Sequence, residues 1–354
     1  MTSLFEPITL RGLTIPNRVW MSPMCTYSAT GGHPEDFHLA HYAARAAGGA
    51  GLVMVEATGV LADGRISPFD LGIWDDEHVA SFARIAAAIT AGGAVPAIQL
   101  AHAGRKASIG KPWLGGKPVA HADGGWDTLA PSATAFPGYP EPAAMTEKQI
   151  AGVVEAFAQA ARRAHDAGFQ VAEVHAAHGY LLHEFLSPLS NTRDDQYGGS
   201  LANRARLLLE VIDVVRAAWP ADRPVLLRVS TTDWTEGGWT VEDTIQVTRW
   251  AREHGVDLVD ASSGGLVPAT IPDTRDYQTS IAARLRAEAG DVPVGAVGRI
   301  TDAAWADELI TTGQADVVLL GRALLDDPSW PNRAARELGA QPRFLEQYAY
   351  AVPR

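Results

Sequence analysis

The stretch Val171–Asp195, VAEVHAAHGYLLHEFLSPLSNTRDD, opens as a short apolar run behind the helix-stop pair Ala167-Gly168. A run of that kind reads as a buried parallel strand that follows a helix. Alternation along a strand puts Glu173 and His175 on one face, opposite Val174. Just past the strand come His178 and Tyr180, so two imidazoles and a phenol gather at one strand end. A neutral imidazole and a phenol each donate a hydrogen bond, and the phenol is also a weak acid. Such a group can hold an oxygen that gains negative charge and deliver a proton beside it. Two other readings fit the same residues. They are satisfied polar groups at a strand end, or His175, His178 and His183 act as three ligands of a catalytic zinc. The H-x-x-E-H and H-E-x-x-H spacings are absent, which weighs against the metal.

The same unit recurs on both sides of this stretch. Apolar runs at Val19–Met21, Leu52–Glu56 and Val95–Leu100 precede it, and Pro224–Ser230, Val256–Ala261, Val292–Val297 and Ala315–Leu320 follow. Helical patterns lie between them, over Phe37–Ala47, Asp76–Ala91, from the Thr146 capping box to Ala167, and over Leu201–Ala218. The later ones run from Thr240 to about His254, then Ser280–Ala289, Thr301–Thr312 and Ser329–Leu338. Strict alternation of eight such units predicts an α/β chain folded as one (β/α)8 TIM barrel, a single domain over residues 1–354. A doubly wound open sheet is the alternative, weakened by the lack of any G-x-G-x-x-G. Two short apolar pieces around Arg11-Gly12 predict an N-terminal hairpin that caps the underside of the barrel. The segment from His102 to Met145, rich in Gly, Pro and Trp and without a period, predicts a long functional loop after the third strand.

Bulk properties narrow the function. A hydrophobic fraction of 47% and a charged fraction of 20% suit a globular protein. A formal net charge of −12 argues against nucleic acid or an anionic membrane as partner. Cys25 is the only cysteine, so no intrachain disulfide forms. With no signal-peptide pattern and no apolar run long enough for a bilayer, a cytoplasmic location is expected.

Functional residues of such barrels lie at the C-terminal strand ends. Here those ends carry Ser22 to Tyr27, Ala57, Gln99, His102, His175 with His178 and Tyr180, and Arg228. The last two end in Gly298-Arg299 and Gly321-Arg322, bare backbone beside an arginine, as a phosphate site requires. Arg228 lies inside the apolar run Val-Leu-Leu-Arg-Val-Ser, so it needs a buried anion. That anion is either a carboxylate such as Glu173 or a cofactor that becomes anionic as it reacts. Gln99 offers an amide to a planar heterocycle, while Cys25 alone is ordinarily a small core residue.

Ser22-Pro23-Met24-Cys25-x-Tyr27, Val55-Glu56-Ala57-Thr58, Gln99-Leu100-Ala101-His102-Ala103-Gly104-Arg105-Lys106 and His175-Ala176-Ala177-His178-Gly179-Tyr180 occur in order along the chain. With Ser187-Pro188-x-x-Asn191, Tyr197-Gly198-Gly199-Ser200, Arg228-Val229-Ser230 and Gly321-Arg322, they span nearly all of it. In these motifs the chain resembles the Old Yellow Enzyme family of flavin-dependent ene-reductases, in its thermophilic-like class. The resemblance implies non-covalent FMN held by Ser22, Pro23, Met24, Cys25, Ala57, Gln99, Arg228, Gly298, Gly321 and Arg322. Arg228 then faces the N1–C2=O edge of the flavin. His175 and His178 polarise the carbonyl or nitro oxygen of an activated alkene, Tyr27 contacts it, and Cys25 tunes the flavin. Hydride passes from flavin N5 to the β-carbon, and Tyr180 gives the proton to the α-carbon. NADPH or NADH serves as a transient hydride donor in the same pocket, in keeping with the missing dinucleotide fingerprint. The class also implies a homodimer or homotetramer whose C-terminal tail reaches a neighbour's site through an arginine. Here Gln347-Tyr348 is followed by Ala349-Tyr350, with tyrosine where that arginine is expected. Two readings from other classes are a zinc-dependent barrel hydrolase and a non-catalytic flavin-binding protein. The longer iron–sulfur flavoenzymes of the superfamily need cysteine clusters that this chain lacks.

Overall fold

The computed structural model describes residues 3–351. The chain enters through the hairpin β1 (Ile8–Leu10) and β2 (Leu13–Ile15), then runs through β3 (Val19–Met21), α1 (Asp36–Ala47), β4 (Leu52–Gly59), α2 (Val79–Ala91) and β5 (Val95–Ala101). A two-rung ladder of β6 (Leu129–Ala130) and β7 (Ala143–Ala144) leads to α3 (Glu147–Asp166), β8 (Val171–Ala176), α4 (Leu181–Leu186) and α5 (Leu201–Ala218). There follow β9 (Val225–Ser230), α6 (Val241–Glu253), β10 (Leu258–Ser262) and α7 (Thr279–Glu288). The last elements are β11 (Val294–Val297), α8 (Ala303–Thr311), β12 (Val317–Leu320), α9 (Arg322–Asp326) and α10 (Trp330–Glu337).

Eight strands close on themselves in the order β10-β11-β12-β3-β4-β5-β8-β9, each pair parallel. This is the (β/α)8 barrel expected from the alternation of apolar runs. Every residue of β4, β5, β8 and β9 is buried, because helices cover one face and the barrel interior the other. The inward side chains include Trp20, Leu52, Met54, Val95, Val171, Leu226, Leu258 and Leu319, and they cluster with Leu10, Leu13 and Ile15 of the hairpin. Gly12 N–H donates to Asp222 O (3.0 Å) and Arg11 pairs with Asp257 (2.6 Å), just before β9 and β10. The hairpin therefore plugs the N-terminal end of the barrel and leaves the C-terminal end open.

The differences from the sequence reading are local. Strands β10, β11 and β12 start two residues late; Val256 N–H still bonds back to Ala251 of α6 (3.0 Å) and Ala315 N–H to Leu309 of α8 (3.0 Å), closing the helix turns. Strand β4 runs on to Gly59 past a register shift between Val55 and Thr58. The short helices α4 and α9 were not expected, since one to two turns carry no readable period. Among the described residues no helix is long and apolar enough to cross a membrane.

Candidate active site

The C-terminal strand ends surround a cavity of about 900 Å³. Ser22, Pro23, Met24, Cys25 and Tyr27 reach it from the end of β3, Ala57 from β4, Gln99 from β5 and Arg228 from β9. His175, His178 and Tyr180 reach it from β8 and the loop beyond, and Gly298, Gly321 and Arg322 from the ends of β11 and β12. The residues singled out in the sequence thus line one space, except His102, which is buried outside it and accepts from Gly104 N–H (3.1 Å). Ser262, Ser263, Tyr277 and Gln278 line it too and were missed. The rule of C-terminal strand ends, applied to β10, would have found the two serines. Tyr277 and Gln278, at the approach to α7, carried no signal.

The His175 and His178 rings have centroids 5.3 Å apart, and Tyr180 packs edge-on to His175 at 5.3 Å. The backbone turns sharply here, with His178 at φ +60° and Gly179 at +71°. A non-glycine residue in that region costs about 1–3 kcal/mol and persists only when its surroundings hold it. Four contacts hold it. His178 N–H donates to Ser230 Oγ (2.9 Å), whose hydroxyl donates to Gly264 O (2.7 Å). Lys106 Nζ donates to both His178 O (2.8 Å) and Gly265 O (3.0 Å). Gly179 N–H donates to His183 Nδ1 (2.9 Å), and His183 Nε2 is 3.0 Å from Asp233 Oδ1. Last, a Cβ at Gly265 would lie 2.7 Å from His178 Cα, so this close approach needs glycine. His183 is therefore a prop for the loop. It is turned to Asp233 and does not join His175 and His178 in the cavity.

Electrostatics keep the group in its donor forms. Burial, then the Arg228 guanidinium, lowers both His175 and His178 well below the ordinary imidazole range, so both rings are neutral and carry one N–H each. Burial, then Cys25 and Tyr27, raises Tyr180 well above the ordinary phenol range, so it keeps its proton. Burial, then Asp70 and Glu56, raises Cys25, which stands in the site as a thiol. Glu56 fixes the segment that carries Cys25 and Tyr27, accepting from Thr26 N–H (2.8 Å) and Tyr42 O–H (2.7 Å).

Arg228 is buried as expected, but its nearest carboxylate is Asp260, with Nε 3.1 Å from Oδ2. Glu173, the carboxylate suggested by the sequence, instead accepts from Gln99 Nε2 (2.7 Å). The rest of the guanidinium borders the cavity. At the far rim Gly298 has φ +115°, Gly321 opens α9, and Arg322 has no ion pair among the described residues. One end of the cavity thus offers a guanidinium and an amide to a planar ring, and the other offers bare backbone and a free arginine to a phosphate. These residues fit FMN.

A closed parallel barrel with this mouth is the architecture of a flavin oxidoreductase. The chain belongs to the NADH:flavin oxidoreductase / NADH oxidase family, the family of Old Yellow Enzyme, whose model matches residues 3–341. It is 47% identical to the NADPH dehydrogenase of Bacillus subtilis (strain 168) over 351 residues, covering 98% of each chain. It is 48% identical to that of Geobacillus thermodenitrificans (strain NG80-2), again covering 98% of each. Among solved structures, morphinone reductase in complex with tetrahydroNAD matches with a TM-score of 0.78 and 30% identity, over 97% of this chain and 93% of that one. A 2-naphthoyl-CoA reductase complex matches with a TM-score of 0.87 and 26% identity, and this chain spans only 52% of its length. The protein is an NAD(P)H:flavin oxidoreductase that binds FMN and takes hydride from a reduced nicotinamide.

Proposed function

We propose that the protein is an ene-reductase acting on small activated alkenes, α,β-unsaturated carbonyl or nitro compounds. The observation that carries this reading is the trio at the end of β8: two neutral imidazoles and a protonated phenol beside one another in the cavity. FMN, when bound, supplies the two-electron chemistry. The chain's own residues bind, orient and protonate. Ser22, Pro23, Met24, Cys25, Ala57 and Gln99 would hold the ring, Arg228 would offset negative charge that builds on it, and Gly298, Gly321 and Arg322 would hold the phosphate. His175 and His178 donate to the substrate oxygen as charge builds on it, an oxyanion-hole effect. Tyr27 packs against the substrate, and Tyr180 delivers a proton to the α-carbon. Cys25, a thiol beside Tyr27 and Tyr180, tunes the ring rather than attacking the substrate.

His183 counts against the zinc hydrolase reading, because its Nε2 faces Asp233. A non-catalytic flavin-binding protein is separated by one experiment. Anaerobically reduced holoprotein should be reoxidised by cyclohexenone, and a yellow protein inert to enones would overturn the ene-reductase reading. We also propose that the chain acts as one cytoplasmic FMN-binding domain in a homodimer or homotetramer. Phe37, Trp113 and Leu325 support self-association; they are 53%, 63% and 46% exposed and line a second cavity that also borders Met24 and Cys25.

A further inference from the structure

Beneath the cavity floor the barrel interior is apolar except for one polar layer. Gln99 of β5 pairs in register with Glu173 of β8, and Arg228 of β9 with Asp260 of β10. Glu173 and Asp260 are both fully buried. Glu173 Oε1 accepts from Gln99, but its Oε2 has no hydrogen bond, and neither Asp260 oxygen has an aligned one. Two carboxyl groups thus share a single cation, Arg228. Like charges confined to one dry site resist ionising together, so the pair retains a proton well past the ordinary carboxylate range. Burial, then Asp260, pushes Glu173 up, while Arg228 and the Gln99 hydrogen bond pull the other way. Burial also raises Asp260 against the pull of Arg228. The charged groups acting on Glu173 are therefore Asp260 and Arg228; β5 faces it with the neutral Gln99, and its own strand carries the neutral His175.

The proton has a consequence for the cavity because Gln99 lies between Glu173 and the ligand. An ionised carboxylate only accepts, so it takes the Gln99 NH2 and leaves the Gln99 carbonyl to face the cavity. A protonated Glu173 can donate, which frees the amide to turn its NH2 toward the cavity. We propose that Glu173 is a proton-linked positioning residue that sets whether Gln99 offers an acceptor or a donor to the flavin ring. It touches neither FMN nor substrate and acts only through Gln99. The inference rests on FMN occupying this cavity, and it makes flavin affinity depend on pH through a group outside the cavity.

The test is titration of the full-length apoprotein with FMN, read by flavin fluorescence, across about pH 6.5 to 9, above the second ionisation of the phosphate. The wild-type dissociation constant should step by about tenfold, the size of one hydrogen bond gained or lost. Glu173→Gln, which stays neutral, should bind FMN with no step, and Gln99→Leu should bind more weakly, also with no step. A flat wild-type profile overturns the proposal by itself, even if both variants misfold. A step that survives in either variant overturns it as well, since the proton would then act elsewhere. Failure of the wild type to bind FMN at all would instead remove the cofactor assignment.

Discussion

Ser262 Oγ lies 2.7 Å from His178 Nε2, joining the end of β10 to the loop after β8. That contact fixes which way the His178 ring faces, in a loop whose backbone is already held by Lys106 and Ser230. Ser262→Ala should leave the fold intact and loosen the ring. The loss should be about 0.5–1.5 kcal/mol, the net worth of one hydrogen bond. Steady-state kinetics with an enone should show it as a raised KM, while FMN content stays unchanged. Unaltered kinetics would mean that the backbone clamps alone orient His178.

Arg228 and Asp260 form a buried pair with Nε–Oδ2 at 3.1 Å. Arg228→Ala leaves Asp260 without its cation, and breaking a buried pair from one side costs about 3–5 kcal/mol. Adding Asp260→Asn should restore much of that stability in chemical denaturation. FMN affinity should not return, because the guanidinium proposed to face the ring is gone and a hydrogen bond to a charged group is worth about 1.5–3 kcal/mol. Arg228→Ala with full FMN affinity would show that the arginine serves only Asp260.

The barrel and its mouth were legible because both follow short-range rules. Parallel strands covered on two faces read as apolar runs, and polar residues at their C-terminal ends stand out against them. Arg228 was visible as a charge inside such a run. Its partner was not, because Asp260 sits on the next strand and only the register Arg228↔Asp260 brings them together. His183 looked like a third ligand for the same reason: its pairing with Asp233 joins α4 to the loop after β9. The turn α4, fully buried from Leu181 to Leu186, showed no alternation of polar and apolar faces to read.

Glu56 gives a pH signature. Burial pushes it up to about 7 from an ordinary value of 4.5, despite the hydrogen bonds from Thr26 and Tyr42. Below pH 4.5 both folded and unfolded chains hold this proton; between 4.5 and 7 only the folded chain does. Its contribution to stability is thus present below the unfolded value and is lost as pH rises through the folded one. Glu56→Gln stays neutral throughout. The stability of the wild type relative to this variant should therefore fall by up to about 1.4 kcal/mol per pH unit across that window. Urea unfolding of both proteins at several pH values checks it, and parallel profiles would refute the assignment.

The tail offers a test of the shared site. Tyr350 is 91% exposed and stands where the resemblance leads one to expect an arginine. Tyr350→Ala should change substrate affinity only modestly, and sedimentation should show a dimer or tetramer. A fully active monomer at micromolar concentration would remove the shared-site idea.

Tyr180 carries the central claim, and stopped-flow timing of the two half-reactions in Tyr180→Phe tests it most directly. Oxidation of the reduced holoprotein by cyclohexenone should slow by about 10²–10⁴, the usual worth of a positioned general acid. Reduction by the nicotinamide should stay close to the wild-type rate, because no carbon is protonated in that half. Cyclohexenone reoxidation as fast as in the wild type would contradict the claim and pass the role of acid to Tyr27 or to water.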